Sequence, residues 1–208
     1  MLYIETVEPN TLALLKKLMQ FKELHHFVLV GGTALSLKFG HRKSVDIDLF
    51  GGEVFDNQEL KDFLSTAVPS FTSSSSNKAP GVFGYLDGVK ADFVKYHHYT
   101  YIRPVENIDG IRFMSTEDIA AMKIFAILQR AKKKDFWDLS LLLDIYGVQK
   151  IIEFYFEKFP NNQTLITIPQ AILFFDEAEE DEEPVSLKGQ TWNAIKKNIQ
   201  NHVNNFLK

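Results

Sequence analysis

The pattern of apolar positions predicts that helices and strands alternate through the first half of the chain. Residues 9–21 carry apolar side chains at helical spacing, so we expect an opening amphipathic helix. The apolar run 27–30 has the length of a buried strand, and residues 45–50 form a second such run. Residues 56–67 return to helical spacing. This order predicts a sheet with helices packed against it.

A β-hairpin is predicted next. Residues 82–86 and 89–96 are separated by Asp87-Gly88, a dipeptide typical of a two-residue hairpin turn. The serine-rich stretch 70–80 before the hairpin predicts a loose connection. Four strands are therefore expected in the first half of the chain.

The second half of the chain has a helical pattern. A helix is expected to begin after Ser115, whose S-x-x-D pattern is similar to a capping box. Further helices are expected at 135–146, where Gly147 ends the pattern, and at 148–159. Helical spacing also recurs near the end of the sequence.

These elements predict an α/β (α+β) fold with a small mixed sheet covered by helices. We expect an α/β core over residues 1–114 and a mostly helical region over residues 115–208. A chain of 208 residues, 45% of them hydrophobic, is long enough to bury one large core or two smaller ones.

Composition excludes several kinds of site. The chain has no cysteine, which excludes disulfides, thiolate metal sites and cysteine nucleophiles. No apolar run approaches the roughly 18–20 residues of a membrane-spanning helix, and the first residues lack the pattern of a signal peptide. We therefore expect a cytoplasmic protein with no membrane partner.

Charge is distributed unevenly along the chain. The formal net charge of −4 is unlike that of proteins that coat nucleic acid. Most of the excess acid lies in residues 176–183, for which we expect a solvated loop, although a surface for a basic partner is the alternative. Residues 130–134 form a basic cluster, so a local site for phosphates is compatible with the sequence.

The stretch between the first two predicted strands carries the candidate chemistry. Gly31 and Gly32 follow the first strand and precede a short amphipathic segment that begins near Thr33. Glycines let backbone N–H groups approach a phosphate closely, and the start of a helix favours anions. Asp46 and Asp48 are two residues apart in the second predicted strand, so both side chains lie on one face. Such a pair favours a hard divalent cation such as magnesium.

This stretch resembles a known family. The chain is similar to the first motif of the DNA polymerase β-like nucleotidyltransferases in having GGT, then twelve residues, then DID. It also resembles their AbiEii-type branch, the toxins of type IV toxin–antitoxin systems, in the wording GGTALSLKFGHRKSVDIDLF. The resemblance implies that the Gly31-Gly32 turn grips a triphosphate and that Asp46 and Asp48 hold magnesium. Most members have serine where this chain has Thr33, which keeps the hydroxyl and is implied to grip phosphate.

The resemblance also implies a third carboxylate on a neighbouring strand. Asp92, in the second strand of the predicted hairpin, is the candidate. It would complete the metal site or help to deprotonate the attacking hydroxyl. The alternative is a solvent-facing aspartate on an edge strand.

A second signature of the family follows in the helical half. Lys123 is implied to be a phosphate ligand, whereas a lysine at such a position otherwise extends to solvent. Arg130 is seven residues further, so we expect it on the same helix side, where it would bind phosphates together with Lys123. Asp135 and Asp138 complete the signature, one of them orienting the lysine or the acceptor and the other capping a helix or pairing with basic neighbours. Arg42 is expected either to contact phosphate or to form a structural salt bridge.

Taken together, the resemblance implies transfer of a nucleoside monophosphate from a nucleoside triphosphate to an acceptor hydroxyl, with Mg²⁺ or Mn²⁺. It suggests a tRNA end as the acceptor and a cognate antitoxin protein as the partner. A small-molecule acceptor, a protein acceptor and a non-catalytic nucleotide-binding member are the alternatives. His97 and His98 are adjacent, so they would point to opposite faces of a strand, and we assign them to a loop or surface.

Overall fold

The structure is a computed structural model that describes residues 1–97 and 100–208, so that His98 lies outside the described residues. The chain forms two compact units. The first comprises Met1–Gly40, Ser44–Thr100 and Val105–Met114, and the second comprises His41–Lys43, Tyr101–Pro104 and Ser115–Lys208.

The first unit contains a seven-stranded sheet within the described residues. Its strands are β1 (Phe27–Leu29), β2 (Ile47–Gly51), β3 (Thr72–Ser73), β4 (Gly81–Leu86), β5 (Val89–Lys95), β6 (Glu106–Ile108) and β7 (Ile111–Phe113). The spatial order is β3-β4-β5-β2-β1-β7-β6. Strand β2 is parallel to β5 and β1 is parallel to β7, whereas the other neighbours are antiparallel. The sheet is mixed, as the sequence predicts.

Helices of the first unit accompany this sheet. They are α1 (Pro9–Gln20), α2 (Gly31–Phe39) and α3 (Asn57–Ala67). The core contains large apolar side chains with no solvent exposure, among them Phe27, Phe93 and Phe113. Burial of one such side chain contributes about 1.5–3 kcal/mol. This explains why β1, a short strand that is buried at all three positions, is stable between β2 and β7.

The second unit is helical in its described part. Its helices are α4 (Thr116–Gln129), α5 (Lys133–Lys158), α6 (Ile168–Ile172) and α7 (Trp192–Phe206). The predicted cap is present, because Ser115 Oγ accepts the Asp118 backbone N–H at 3.0 Å. Gly147 has φ 71°, which interrupts α5 where the sequence pattern predicts the end of a helix. In the described ranges, no helix combines the length and the apolarity that crossing a membrane requires.

The acidic run 176–183 is largely exposed, as expected for a solvated loop, and two of its residues also form specific hydrogen bonds. The Glu179 carboxylate accepts hydrogen bonds from Trp192 Nε1 at 2.9 Å and Lys196 Nζ at 2.7 Å. Asp181 Oδ2 accepts the Lys133 backbone N–H at 3.0 Å, and its carbonyl oxygen accepts Lys133 Nζ at 2.7 Å. Opposite charge and free N–H groups at the start of α5 explain why these acids are bound. The expectation of a solvated loop is confirmed, although Glu179 and Asp181 are also hydrogen-bonded to residues of α7 and α5.

Candidate active site

The three carboxylates predicted to bind metal, Asp46, Asp48 and Asp92, all lie in the first unit, and strand register sets the positions of the last two. Strands β2 and β5 are parallel with Asp48 opposite Asp92, so both side chains lie on the same face of the sheet. The flanking residues Ile47 and Leu49 are buried on the other face. Asp46 lies one residue before β2 begins, a small difference from the predicted strand. We call Asp46, Asp48 and Asp92, together with the lysine described next, the carboxylate cluster.

Lys90 completes this cluster, and sequence reasoning missed it. Its Nζ donates to Asp92 Oδ2 at 2.9 Å. Burial lowers the pKa of Lys90, but the Asp92 hydrogen bond and the charges of Asp92, Asp46 and Asp48 offset that effect, so its pKa is raised. All three carboxylates therefore act on one ammonium. Strand alternation could have found this residue, because positions 90 and 92 share a face.

The carboxylate cluster suits an oxygen-coordinated divalent cation. Asp92 Oδ1 is buried and has no hydrogen-bond partner among the described residues, which is a cost that a cation would offset. Three carboxylates and one ammonium carry a formal charge of −2, which one divalent cation would neutralise. The donor set is all oxygen, as magnesium prefers.

Gly31 lies directly against this cluster. Its φ is +70°, and a Cβ atom at this position would be 2.8 Å from Asp48 Oδ2. Both observations favour glycine at this position. The first residues of α2, Gly31 and Gly32 among them, carry N–H groups that have no partner within the helix. The start of α2 can therefore bind an anion next to the Asp48 carboxylate.

Thr33 is positioned differently from the implied phosphate ligand. The residue is 1% exposed, and its hydroxyl donates to the carbonyl oxygen of Asp46. Thr33 Oγ1 is also 2.8 Å from Ser44 Oγ. The hydroxyl therefore fixes the segment that leads into the two aspartates, and α2 and the D-x-D stretch are tied together through it.

The second unit holds a group of charged side chains that are almost fully buried, which we call the buried charge cluster. Lys123 Nζ is 2.8 Å from Asp135 Oδ1 and 2.7 Å from Asp138 Oδ2. Arg42 binds the two oxygens of Asp138 through Nε at 2.7 Å and Nη2 at 2.8 Å. His41 Nε2 is 2.7 Å from Asp138 Oδ1. The structure brings Lys123, Asp135, Asp138 and Arg42 together, and it contains the salt-bridge alternative for Arg42.

Electrostatics inside the buried charge cluster keep Asp138 and Lys123 ionised. Burial opposes the charge on Asp138, but Arg42 and Lys123, with hydrogen bonds from His41 and Arg42, hold its pKa well below 3.8. Burial likewise lowers the pKa of Lys123, yet the carboxylates of Asp135 and Asp138 outweigh that effect and raise it. His41 was missed by sequence reasoning, because no local pattern indicates a partner 97 residues away.

Arg130 does not share a helix face with Lys123. Helix α4 ends at Gln129, and Arg130 has an extended backbone with φ −160° and ψ 99°. The residue is exposed. The expectation from seven-residue spacing was wrong, because that spacing applies only while the helix continues.

Comparison with known proteins gives the family. The family model described as "Nucleotidyl transferase AbiEii toxin, Type IV TA system" matches residues 13–206, nearly the whole chain. The chain belongs to the AbiEii nucleotidyltransferase toxin family. An uncharacterized protein of Aquifex aeolicus (strain VF5) is 30% identical over 204 residues, which are 93% of this chain and 94% of that relative. The predicted family is thus confirmed.

Solved structures share the fold of this AbiEii family member. JHP933 from Helicobacter pylori has a TM-score of 0.59 at 17% identity, over 95% of this chain and 92% of that chain. MenT4, a nucleotidyltransferase toxin from Mycobacterium tuberculosis, has a TM-score of 0.56 at 11% identity, over 93% of this chain and 81% of that chain. At such identities the likeness shows the fold alone, and it confirms the predicted α/β class. Family membership makes the chain a nucleotidyltransferase, as the resemblance implies.

Proposed function

We propose that this AbiEii family member transfers a nucleoside monophosphate from a nucleoside triphosphate to a hydroxyl at a tRNA end. We further propose that it is the toxin of a pair whose antitoxin is a separate protein. The description of the family supports the toxin role. The observation that carries the chemistry is the register of Asp48 against Asp92, beside a glycine at which an added Cβ would lie 2.8 Å from Asp48 Oδ2.

Asp46, Asp48 and Asp92 would hold the divalent cation. Members of the superfamily generally use such ions, and we propose Mg²⁺, with Mn²⁺ as its substitute. When bound, the ion neutralises charge on the triphosphate and on the leaving pyrophosphate. The buried Oδ1 of Asp92, which has no hydrogen-bond partner among the described residues, has a position open to such an ion.

The chain's own residues perform the remaining tasks. The N–H groups at the start of α2, at Gly31 and Gly32, bind triphosphate oxygens. Thr33 fixes the backbone of Asp46 and so the position of the first carboxylate. Asp92 accepts the proton of the acceptor hydroxyl or completes the metal site. The acceptor oxygen bonds to the α-phosphorus, the bond from that phosphorus to the bridging oxygen breaks, and pyrophosphate leaves.

A labelling experiment tests this function. Purified protein is incubated with Mg²⁺, total tRNA and each α-labelled nucleoside triphosphate in turn, beside an Asp48→Asn variant that keeps the side-chain size. We expect label on tRNA with the native chain and none with the variant. Label on a small molecule or on a protein, and none on tRNA, would show that tRNA is not the acceptor. Nucleotide binding without transfer to any acceptor would identify a non-catalytic member.

The toxin role has a separate test. Induction of the native chain in bacterial cells is expected to stop growth, and induction of Asp48→Asn is not. Equal growth of both strains at equal protein levels would contradict the toxin role while leaving the transfer chemistry intact.

A further inference from the structure

A second set of potential metal ligands lies at the other end of the strands that carry the carboxylate cluster. Strands β1 and β2 are antiparallel, with Phe27 opposite Gly51. His25 and His26 precede β1, and Glu53 follows β2, so all three lie where this strand pair begins and ends. The Gly52 N–H donates to the His26 carbonyl oxygen at 3.4 Å, which extends the pairing toward them. At about 3.3 Å per residue, five residues separate this end from Asp48 by roughly 15 Å.

The side chains of these three residues converge. One ligand atom from each of His25, His26 and Glu53 lies within 4.8 Å of the other two. His25 Nε2 is 3.6 Å from Glu53 Oε1. Ligands about 2.0–2.2 Å from a tetrahedral ion are about 3.4 Å from one another. That pair already has the separation of two ligands, and small rotamer changes would bring in the third.

The two imidazoles have the features of metal ligands. His25 Nδ1 is 2.8 Å from the carbonyl oxygen of Lys22, so the ring is oriented and its Nε2 is left for an ion. His26 Nε2 is buried and has no hydrogen-bond partner within the described part of the chain. His26 also lines a cavity of 190 Å³, which it shares with Glu23 and Phe55. The cavity gives an ion and its waters room beside this imidazole.

We propose that His25, His26 and Glu53 bind one divalent ion of the zinc class. Two imidazoles and a carboxylate favour zinc and its neighbours over magnesium, which prefers oxygen donors alone. The donor chemistry therefore separates this site from the carboxylate cluster. The ion would clamp the turn before β1 to the segment after β2, and thus hold the strand pair that carries Asp48. The site stands independently of the function proposed above.

Zinc binding to the untagged full-length chain tests the proposal. Zn²⁺ is titrated in millimolar Mg²⁺ against a chromophoric chelator, with Co²⁺ absorption as a second readout of coordination. We expect one equivalent of Zn²⁺ and at least a tenfold weaker affinity in His25→Asn and in Glu53→Gln. These side chains are 67% and 63% exposed, so both variants should fold.

Two matched variants make the result specific. His202→Asn removes a histidine that pairs with Asp144 in the helical unit, and Asp48→Asn removes a ligand of the carboxylate cluster. Both are expected to bind Zn²⁺ as the native chain does. Native affinity in His25→Asn and Glu53→Gln would overturn the proposal, and so would loss of Zn²⁺ binding in Asp48→Asn.

Discussion

The carboxylate cluster and the buried charge cluster both combine aspartate with lysine, but they differ in charge balance and in burial. In the carboxylate cluster three aspartates are matched by one lysine, and Lys90 is 45% exposed. In the buried charge cluster Asp135 and Asp138 are matched by Lys123 and Arg42, each 7% exposed or less.

This difference indicates which cluster can receive a ligand. A buried group of charges is stable only when its members neutralise and hydrogen-bond one another, because unpaired charges lose hydration that nothing replaces. A partly exposed group can keep an excess of negative charge, since water screens it. The excess in the carboxylate cluster therefore fits the cation site that we propose, whereas the charges of the buried charge cluster already neutralise one another.

The largest expected effect is on activity. Asp48→Asn should lower nucleotide transfer about 10³-fold, because it removes a charged group from the transition-state environment. The free energy of unfolding should change little. Single-turnover transfer and urea unfolding measure the two quantities. A large loss of stability in this variant would contradict the view that only the buried charge cluster stabilises the fold.

Lys123→Met should lower stability more than Asp48→Asn does. It leaves Asp135 and Asp138 with Arg42 as the remaining permanent cation of the cluster, so we expect a destabilisation of about 3 kcal/mol. Urea unfolding at neutral pH measures it. Lys132→Met, which removes an exposed lysine nearby in the sequence, is the control and should change stability by less than about 0.5 kcal/mol. The phosphate role implied for Lys123 is tested in the same variant by the KM for the nucleotide.

The buried charge cluster should also respond to acid. The pKa of Asp138 in the folded chain is well below its ordinary 3.8. Its ionised form therefore stabilises the fold fully above about pH 4, and that contribution is lost as the pH falls through the folded-state pKa. Unfolding of the native chain and of Asp138→Asn should differ most at neutral pH and converge in acid. A constant difference down to about pH 3 would show that charge is not its source.

A smaller effect is expected at Gly31. In Gly31→Ala the left-handed backbone costs about 1–2 kcal/mol, and the new Cβ would meet Asp48 Oδ2 at 2.8 Å. Gly88→Ala is a matched control, because Gly88 has φ +78° and a Cβ added there would have no other atom within 4 Å. Both variants should lose similar stability, and only Gly31→Ala should lose transfer activity, by about tenfold or more. Equal transfer activities of the two variants would show that Gly31 does not contribute to the active site.

The smallest effect is predicted for Lys90. Replacing it by methionine frees Asp92 Oδ2 and removes the one cation of the carboxylate cluster, so Mn²⁺ should bind about threefold more tightly, as expected for a partly exposed pair. Titration followed by electron paramagnetic resonance measures this affinity. Lys132→Met carries the same change in net charge and should leave it unchanged. Weaker Mn²⁺ binding in Lys90→Met would mean that Lys90 organises the carboxylates.

Local signals in the sequence predicted much of the fold and of the site. The strand runs, the Asp87-Gly88 turn and the break at Gly147 depend on neighbouring residues, and the structure contains all of them. The pairing of Asp48 with Asp92 could be anticipated as a third carboxylate on a neighbouring strand, but not as a register.

Long-range contacts could not be predicted in this way. Asp138 binds His41 and Arg42 across 97 and 96 residues, and no local pattern encodes that choice. Arg130 is seven residues after Lys123, as a shared helix face requires, but α4 ends at Gln129, so Arg130 does not lie on that face. The hydroxyl of Thr33 was available to a ligand in principle, but the loop at Ser44 and Asp46 uses it.

The partners of residues 41–43 also set an order of events during synthesis. This segment lies three residues before Asp46, yet it binds Asp138 and pairs with Val185 and Ser186, more than 140 residues later for the last two. In a nascent chain these contacts, and with them the complete second unit, can form only after residue 186 has left the ribosome.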